Sequence, residues 1–384
     1  MLKAIRYSFP LIGLLLFTAC TNTTGSNEAD TATSDSETNA TTTEFAAAQD
    51  CMNVGILLPE SDSSARYEAY DRPLLEQEIK EALPGVTIQY ANANNNAATQ
   101  QNQAEAALTK GACILVVDPN DSEQASVIVQ QAKQSGVPVI AYDRLIQDPD
   151  LAYYVSFDNE RVGELQGQYI VDQFKAGNFD LKEGATLVMI NGAQTDNNAL
   201  LFRQGALKAL QPLIDSGDVK LAFDQYTPNW DNARAQTLME GVLTKESNNV
   251  QIAYVANDGM ANTVIAALRA QGLNGEVLVT GQDATLTGIQ NILTGDQAMT
   301  IYKPIAKEAE ATARLVAALS KGEDTSSIVN GQVEVEGGAQ IPSVLETPVV
   351  VDRDNIEETV VADGFLTKEQ ICSGLSVDAD GFCQ

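Results

Sequence analysis

Short apolar runs and helical stretches alternate from residue 52 onward, and this alternation limits the possible folds more than any other feature. The apolar runs lie at 52–58, 86–90, 113–117, 137–142 and 153–157, and then at 185–190, 219–223, 252–256, 277–280 and 299–302. Stretches with a helical pattern separate them, such as 72–83, 97–110 and 123–135. Buried strands alternating with amphipathic helices predict parallel sheets covered on both faces. We therefore expect an α/β protein with two doubly wound, Rossmann-like lobes.

Length and composition agree with two lobes and argue against several kinds of function. A chain of 384 residues exceeds one typical domain. The net charge of −29 argues against nucleic acid as a partner, because phosphates repel an acidic surface. Neither GxGxxG nor GxxxxGK with a following Ser or Thr comes after a strand-like run, which disfavours nucleotide cofactors. Since the chain has no histidine, the commonest general base and metal ligand, we expect no enzymatic activity, cofactor or bound metal.

The first residues have the parts of a bacterial export signal. A basic start precedes an apolar run at 11–17, which is too short to span a bilayer, and small residues follow. Cys20 comes next, as in the lipobox, whose cysteine is lipidated and becomes the mature N-terminus. We therefore predict a lipoprotein signal peptide over 1–19 and membrane attachment through a lipid on Cys20 alone. An ordinary secretory cut near Ala19 is the alternative, and either places the protein outside the cytoplasm, in the periplasm or on the cell surface.

The segment that follows Cys20 predicts a flexible tether. Residues 20–50 consist mainly of Thr, Ser, Asn, Ala, Asp and Glu, with almost nothing apolar to bury. Such a composition cannot offset the entropy of folding. The body of the protein is therefore expected to begin near residue 51.

Four further cysteines suggest two disulfides in an oxidising compartment. Cys51 and Cys113 each open a strand-like run, and the starts of neighbouring parallel strands lie close enough to bridge. Cys372 and Cys383 would then close a short loop in a C-terminal tail at 367–384. A structural zinc site is the weaker alternative, because no CxxC spacing occurs.

Polar and aromatic residues follow nearly every strand-like run. They are Arg66, Tyr67, Asp118, Asn120, Asp143, Arg144, Asp196, Asn198, Trp230, Asn257, Asp258, Gln282, Asp283 and Lys303. In open α/β sheets ligands bind beyond the carboxyl ends of the strands, so these side chains are candidates for one site.

The chemistry of this set suits a sugar. A hydroxyl both donates and accepts hydrogen bonds, so it needs acceptor-only carboxylates as well as donor-only Arg and Lys. The C–H face of a sugar ring packs on an aromatic face, which Tyr67 and Trp230 would supply. An amino-acid ligand is not excluded by this chemistry. Structural roles are also open, with Asp118, Asn120 and Asp258 as turn or helix-cap residues and the two aromatics as core.

Several segments of the chain resemble the periplasmic D-xylose-binding proteins, which are type I periplasmic binding proteins. They are YDRLI at 142–146, SFDNE at 156–160, VGELQ at 162–166, DNNA at 196–199, GQDA at 281–284 and YKPI at 302–305. The resemblance covers roughly residues 52–366. Tyr67 stands where that family has Trp, and SSAR at 63–66 resembles the related multiple-sugar-binding proteins.

The resemblance implies a ligand set and a division into lobes. Arg66, Asp143 and Arg144 would bind from the first lobe, Lys303 from a crossing region, and Asp196, Asn198, Asn257 and Asp283 from the second lobe. Tyr67 and Trp230 would sandwich the ring. The lobes would comprise 51–158 with 302–338, and 159–301 with 339–366. Three hinge crossings would lie near 157–160, 299–303 and 337–344, and the lobes would close on the ligand.

The function implied is capture of a monosaccharide, D-xylose, by a monomeric protein that delivers it to the permease of an ABC importer. The alternative is a binder of glucose, galactose, arabinose or several sugars that also reports to a chemoreceptor or sensor kinase. A glycoside-acting enzyme would use Asp143 and Asp283 as paired carboxylates, but cationic neighbours should keep both ionised. A sugar-responsive repressor is disfavoured, because the signal peptide stands where a DNA-binding motif would be needed.

Overall fold

The computed structural model describes residues 45–61, 63–375 and 381–383. The predicted signal peptide, Cys20 and residues 20–44 of the predicted tether lie outside the described residues. The described strands are β1 (Asn53–Leu58), β2 (Thr87–Asn92), β3 (Ile114–Val117), β4 (Val139–Tyr142), β5 (Tyr153–Phe157), β6 (Ala185–Asn191), β7 (Val219–Tyr226), β8 (Ile252–Val255), β9 (Leu278–Val279), β10 (Thr300–Tyr302), β11 (Gly331–Glu334), β12 (Gln340–Glu346) and β13 (Val349–Val351).

Helices connect most of these strands. They are α1 (Arg72–Ala82), α2 (Ala97–Thr109), α3 (Ser126–Gln134), α4 (Asn159–Ala176), α5 (Asn197–Ser216), α6 (Asn232–Lys245), α7 (Asp258–Ala270), α8 (Leu286–Thr294), α9 (Ile305–Lys321) and α10 (Lys368–Cys372). Within the described part of the chain, no helix combines the length and the apolar character needed to span a bilayer.

The first lobe is built on a seven-stranded sheet in the order β11-β12-β5-β4-β3-β1-β2. Every pairing is parallel except that of β11 with β12. Alternate residues of β1 enter two separate clusters, with Ile56 and Leu58 on one face of the sheet and Leu57 on the other. A strand buried on both faces needs a continuous apolar run, and β1 has one.

The second lobe is built on a parallel sheet in the order β7-β6-β8-β9, beside which β10 and β13 pair antiparallel. Its larger core cluster includes Met189, Phe202 and Tyr254, and a smaller one includes Ile289 and Val351. The predicted α/β class with two mainly parallel sheets is confirmed.

The passage of the chain near residue 340 differs from the prediction. The sequence resemblance implies that residues 339–366 belong to the second lobe, with a crossing near 337–344. Instead β12 runs to Glu346 and pairs in parallel with β5, so residues 340–346 belong to the first sheet. The buried side chains of Ile341 and Val344 hold this strand in the core of the first lobe. The chain passes to the second lobe just before β13.

The described end of the predicted tether is also not extended into solvent. Ala48 is buried, and Phe45 packs against the core of the first lobe. The amide of Ala47 donates to the Gly136 carbonyl at 3.3 Å, and that of Asp50 donates to the Ser320 carbonyl at 2.8 Å. Residues 45–50 therefore belong to the folded body, because Phe45 and the three alanines that follow it supply apolar surface to bury.

Helices α4 and α5 of the second lobe pack at the distance of backbone contact. A Cβ atom built on Gly163 would lie 1.9 Å from the carbonyl oxygen of Phe202, and one on Gly205 would lie 2.0 Å from that of Glu160. A Cβ on Gly167 would approach the Ala206 carbonyl oxygen to 2.7 Å. These glycines let the two helices approach and set the position of Phe202.

Both predicted disulfides are formed. Cys51 and Cys113 join the segments that lead into β1 and β3, which are parallel neighbours, with their Cα atoms 5.6 Å apart. Cys372 and Cys383 close the C-terminal loop, also with Cα atoms 5.6 Å apart. The zinc alternative is therefore not realised at these four cysteines.

Candidate ligand-binding site

One cavity lies between the lobes at the carboxyl ends of the strands. All ten predicted ligand residues line it, together with Ser63, Ser64, Phe202 and Gln282. The open space measures about 20 Å³, because side chains of the two lobes contact one another across it. That volume admits about one water molecule, so a sugar ring requires the lobes to part.

Asp143 is the centre of the charges on the first-lobe side. Its Oδ2 lies 3.4 Å from Nη1 of Arg66, and its Oδ1 lies 3.5 Å from Nζ of Lys303. All three side chains are buried. Burial alone would raise the pKa of Asp143, but the positive charges of Arg66 and Lys303 outweigh it and lower the pKa to about 2. The carboxylate is therefore ionised and accepts hydrogen bonds at neutral pH.

The backbone of Asp143 is held in an unusual conformation. Its φ of +55° lies in the left-handed region, which asparagine and aspartate tolerate better than most residues. Its carbonyl oxygen accepts hydrogen bonds from Tyr154 Oη at 2.9 Å, Ser156 Oγ at 2.6 Å and Asn198 Nδ2 at 2.9 Å. Asn198 comes from the second lobe, so this carbonyl group links the two sides of the cleft.

Arg144 makes the second contact between the lobes. Its Nε lies 3.0 Å from Asp196 Oδ2 on the second lobe, and its Nη2 donates to Tyr67 Oη at 2.9 Å. Asp196 also caps the N-terminus of α5, where its Oδ1 accepts from the Asn198 amide at 2.9 Å. Burial raises the pKa of Asp196, while the positive charge of Arg144 opposes the shift.

The wall of the second lobe is formed by residues after β8 and β9. Asn257 caps α7 through its Oδ1, which accepts from the Met260 amide at 3.0 Å. Asp283 has a φ of +95° and faces Lys303, whose Nζ lies 3.7 Å from its Oδ1. Lys303 thus bridges Asp143 and Asp283.

Asp258 supports this wall from behind and does not line the cavity. Its carboxylate accepts from Thr285 N at 2.8 Å and from Thr300 Oγ1 at 2.9 Å. Cβ atoms built on Gly281 or Gly288 would come within 2.2 Å of its oxygens, so glycines are required on both sides. Burial raises the pKa of Asp258 to about 7. The sequence left a cap role open for Asp258, but the cap of α7 is Asn257.

Aromatic rings occupy both sides of the cavity. Tyr67 lies on the first-lobe side, while Trp230 and Phe202 lie on the second-lobe side. The ring centroids of Phe202 and Trp230 are 6.4 Å apart, and the ring planes meet at 66°. Trp230 Nε1 donates to Asp196 Oδ2 at 3.1 Å. Its ring lies directly on the backbone of Gly192, where an added Cβ would meet ring carbons at 2.2 Å.

Four residues of the cavity wall were not among the predicted ligand set. Phe202 follows Asn198 by four positions on α5, so helical spacing could have found it. Gln282 precedes Asp283 and follows the same strand-like run, but the resemblance implies no role for it. Nothing in the sequence besides their closeness to Arg66 points to Ser63 and Ser64.

Asp118 and Asn120 take positions that the sequence did not predict. Asp118 is fully buried 3.8 Å from Arg144 Nε, and neither carboxylate oxygen has a hydrogen-bond partner among the described residues. Burial raises its pKa well above the usual range, and the charge of Asp143 adds to the shift. Asn120 bonds to Asn95 at 3.0 Å. Neither side chain caps α3, whose N-cap residue is Ala125.

Comparison with known proteins places this architecture in a family. Residues 54–324 match the periplasmic binding protein domain. The chain is 41% identical over 302 residues to the D-xylose-binding periplasmic protein of Haemophilus influenzae, covering 78% of this chain and 87% of that one. It is 35% identical over 345 residues to a multiple sugar-binding periplasmic protein of Azospirillum brasilense, covering 86% and 94%.

A solved structure shows the same fold. The solute-binding protein of an ABC transporter from Clostridium phytofermentans, crystallised with β-D-glucose, superposes with a TM-score of 0.75 at 29% identity, covering 83% of this chain and 99% of that one. The two-lobed fold, the cleft at the strand ends and the extent of these matches agree, and the chain belongs to the periplasmic binding protein family.

Proposed function

We propose that the protein captures a monosaccharide in the cleft between its lobes, with D-xylose as the first candidate, and delivers it to an ABC importer. The observation that carries the proposal is the alternation of acceptors and donors around the cavity. Asp143, Asp196 and Asp283 only accept hydrogen bonds when ionised, whereas Arg66, Arg144 and Lys303 only donate. This arrangement matches a ring of hydroxyl groups.

The pairing of the charges in the cleft supports a sugar over an amino acid. A free amino acid needs a site for its ammonium group opposite a site for its carboxylate. In this cleft the charges pair with each other across the cavity, through Arg144 with Asp196 and Lys303 with Asp143 and Asp283. A neutral ligand with many hydroxyls would enter these pairs without adding net charge.

The choice of D-xylose is supported by the name of the Haemophilus influenzae relative. A second candidate is a hexose, or a set of sugars. Tyr67 favours it, because its hydroxyl group donates or accepts within the site and lies 2.9 Å from Arg144 Nη2. The glucose in the Clostridium phytofermentans structure supports the same alternative.

Transport fits the site better than catalysis. A retaining or inverting glycosidase needs one carboxyl group that stays protonated near neutral pH. Lys303 lies between Asp143 and Asp283, and the low pKa of Asp143 prevents this carboxyl group from acting as a proton donor.

We further propose that the protein is exported, attached to the membrane through a lipid on Cys20, and monomeric. Its protein partner would be the permease of the ABC importer.

Calorimetric titration of the purified protein with D-xylose, glucose, galactose, arabinose and ribose tests the proposal. We expect D-xylose to bind with a micromolar or lower Kd and to be recovered unchanged. A lower Kd for glucose or galactose than for D-xylose would favour the second candidate. If none of the five sugars binds, the proposed function is wrong.

A substitution beneath Trp230 should weaken this binding by displacing the indole ring, which also donates to Asp196. In Gly192→Ala the new methyl group would displace the indole ring and reduce affinity about tenfold. Trp230 is the single tryptophan of the chain, so its fluorescence reports the displacement directly. Gly241→Ala is the control, because a Cβ there meets no atom within 4 Å. An unchanged Kd in Gly192→Ala would exclude stacking of the sugar on Trp230.

A further inference from the structure

Two buried carboxylates lie behind the cleft and do not line it. Asp71 directly precedes α1 and Glu308 lies in the first turn of α9, and both are fully buried. They are separated by more than two hundred residues in sequence, yet both contact the guanidinium group of Arg66. Neither belongs to the ligand set proposed above.

Asp71 binds Arg66 through two parallel hydrogen bonds. Arg66 Nε donates to Oδ2 at 2.9 Å, and Nη2 donates to Oδ1 at 2.7 Å. The Tyr142 hydroxyl group donates to Oδ1 at 2.7 Å and fixes the carboxylate from the other side. A bidentate arginine–carboxylate pair defines the orientation of the guanidinium plane as well as its position.

Glu308 makes a weaker contact with the same group. Its Oε2 lies 3.3 Å from Arg66 Nη2, and its Oε1 has no hydrogen-bond partner among the described residues. Burial raises the pKa of Glu308 well above its usual range, and the nearby charge of Asp143 adds to the shift. Asp71 is therefore the principal anionic partner of Arg66 behind the cleft.

These contacts leave one part of Arg66 for the ligand. Nε and Nη2 are engaged by Asp71 and Glu308, whereas Nη1 faces Asp143 at 3.4 Å on the cleft side. A free arginine side chain has many rotamers and loses entropy when it is fixed. Fixing it before the ligand arrives removes part of that cost from binding.

We propose that Asp71 is a positioning residue for ligand binding, which orients Arg66 so that Nη1 points into the cleft, with Glu308 as a secondary support. The proposal rests on the sugar-binding function proposed above. A purely structural role is the alternative, because Asp71 and Arg66 flank the turn that carries Tyr67 and their pairing also stabilises that turn.

A double-mutant cycle separates the two roles. D-xylose is titrated calorimetrically into wild type, Asp71→Asn, Arg66→Ala and the double variant. If Asp71 acts through Arg66, Asp71→Asn weakens binding about tenfold in wild type and less than about twofold in the Arg66→Ala background. Arg66→Ala itself weakens binding more than Asp71→Asn does.

Glu76→Gln is the matched control, because Glu76 also pairs with an arginine, Arg72, at 3.1 Å, but on the exposed face of α1. The Kd of this variant for D-xylose should stay within about twofold of the wild-type value. Tyr142→Phe, which frees the Asp71 carboxylate on one side, replaces Asp71→Asn should that variant not fold, with a smaller effect in the same direction. The proposal is overturned if Asp71→Asn weakens D-xylose binding equally in the wild-type and Arg66→Ala backgrounds, or if it does not weaken binding in the wild-type background. Neither result would affect the proposed sugar binding by the wild-type protein. If wild type binds no sugar, both proposals fall.

Discussion

Replacing Asp143 by alanine should weaken sugar binding roughly 100- to 1,000-fold, because it leaves two buried cations without their shared partner. Arg66 Nη1 and Lys303 Nζ lie 3.4 and 3.5 Å from the carboxylate, and both side chains are buried. Alanine is also strained at a φ of +55°, which adds a distortion of the carbonyl group that Asn198 contacts. Calorimetric titration with the sugar that binds wild type measures the loss.

Two further variants separate the charge from the backbone. Asp143→Asn keeps the shape and tolerates the left-handed conformation, so its loss reports the missing charge and acceptor without the backbone strain. Asp148 lies five residues along the chain and is equally buried, but it accepts from Ser126 Oγ and Gln130 Nε2 away from the cavity. Asp148→Asn should change stability and leave the Kd unaltered. A Kd for Asp143→Ala within a few-fold of wild type would show that the sugar binds elsewhere.

The ligand set was accessible from sequence because parallel strands bring their carboxyl ends to one edge of a sheet. Asp143 after β4, Asn257 after β8 and Asp283 after β9 are far apart in the chain and line one cavity. The chemistry of the set could also be read directly, since a carboxylate or a guanidinium group keeps its hydrogen-bonding character in any fold.

Features that depend on the packing of distant segments could not be predicted from the sequence. Pro342 within β12 argues against a strand, yet it lies opposite Gln332 of the edge strand β11 and precedes the part of β12 that pairs with β5. The pairing of Glu308 with Arg66 joins helices that no local pattern connects. The neighbours Pro119 and Asn120 predict a turn or cap at Asp118, but the parallel pairing of β3 with β4 places it beside Arg144.

The contact between α4 and α5 leads to the largest expected loss of stability. Gly163→Ala should lower the free energy of unfolding by about 3 kcal/mol, because a Cβ placed 1.9 Å from the Phe202 carbonyl oxygen forces the two helix backbones apart. The strain cannot be relieved by a rotamer change, since the contact is with backbone and not with the end of a flexible side chain. Urea unfolding followed by circular dichroism measures the effect.

Gly241→Ala, in the same lobe, should change the free energy of unfolding in the opposite direction. It lies within α6, where an added Cβ meets no atom within 4 Å, so the higher helix propensity of alanine should stabilise the protein by about 0.5–1 kcal/mol. Gly163→Ala should also weaken sugar binding, because moving α5 moves Phe202 in the cavity wall, whereas Gly241→Ala should leave the Kd unchanged. Equal stabilities for the two variants would mean that α4 and α5 do not meet at backbone contact in solution, and the position of Phe202 would then need another cause.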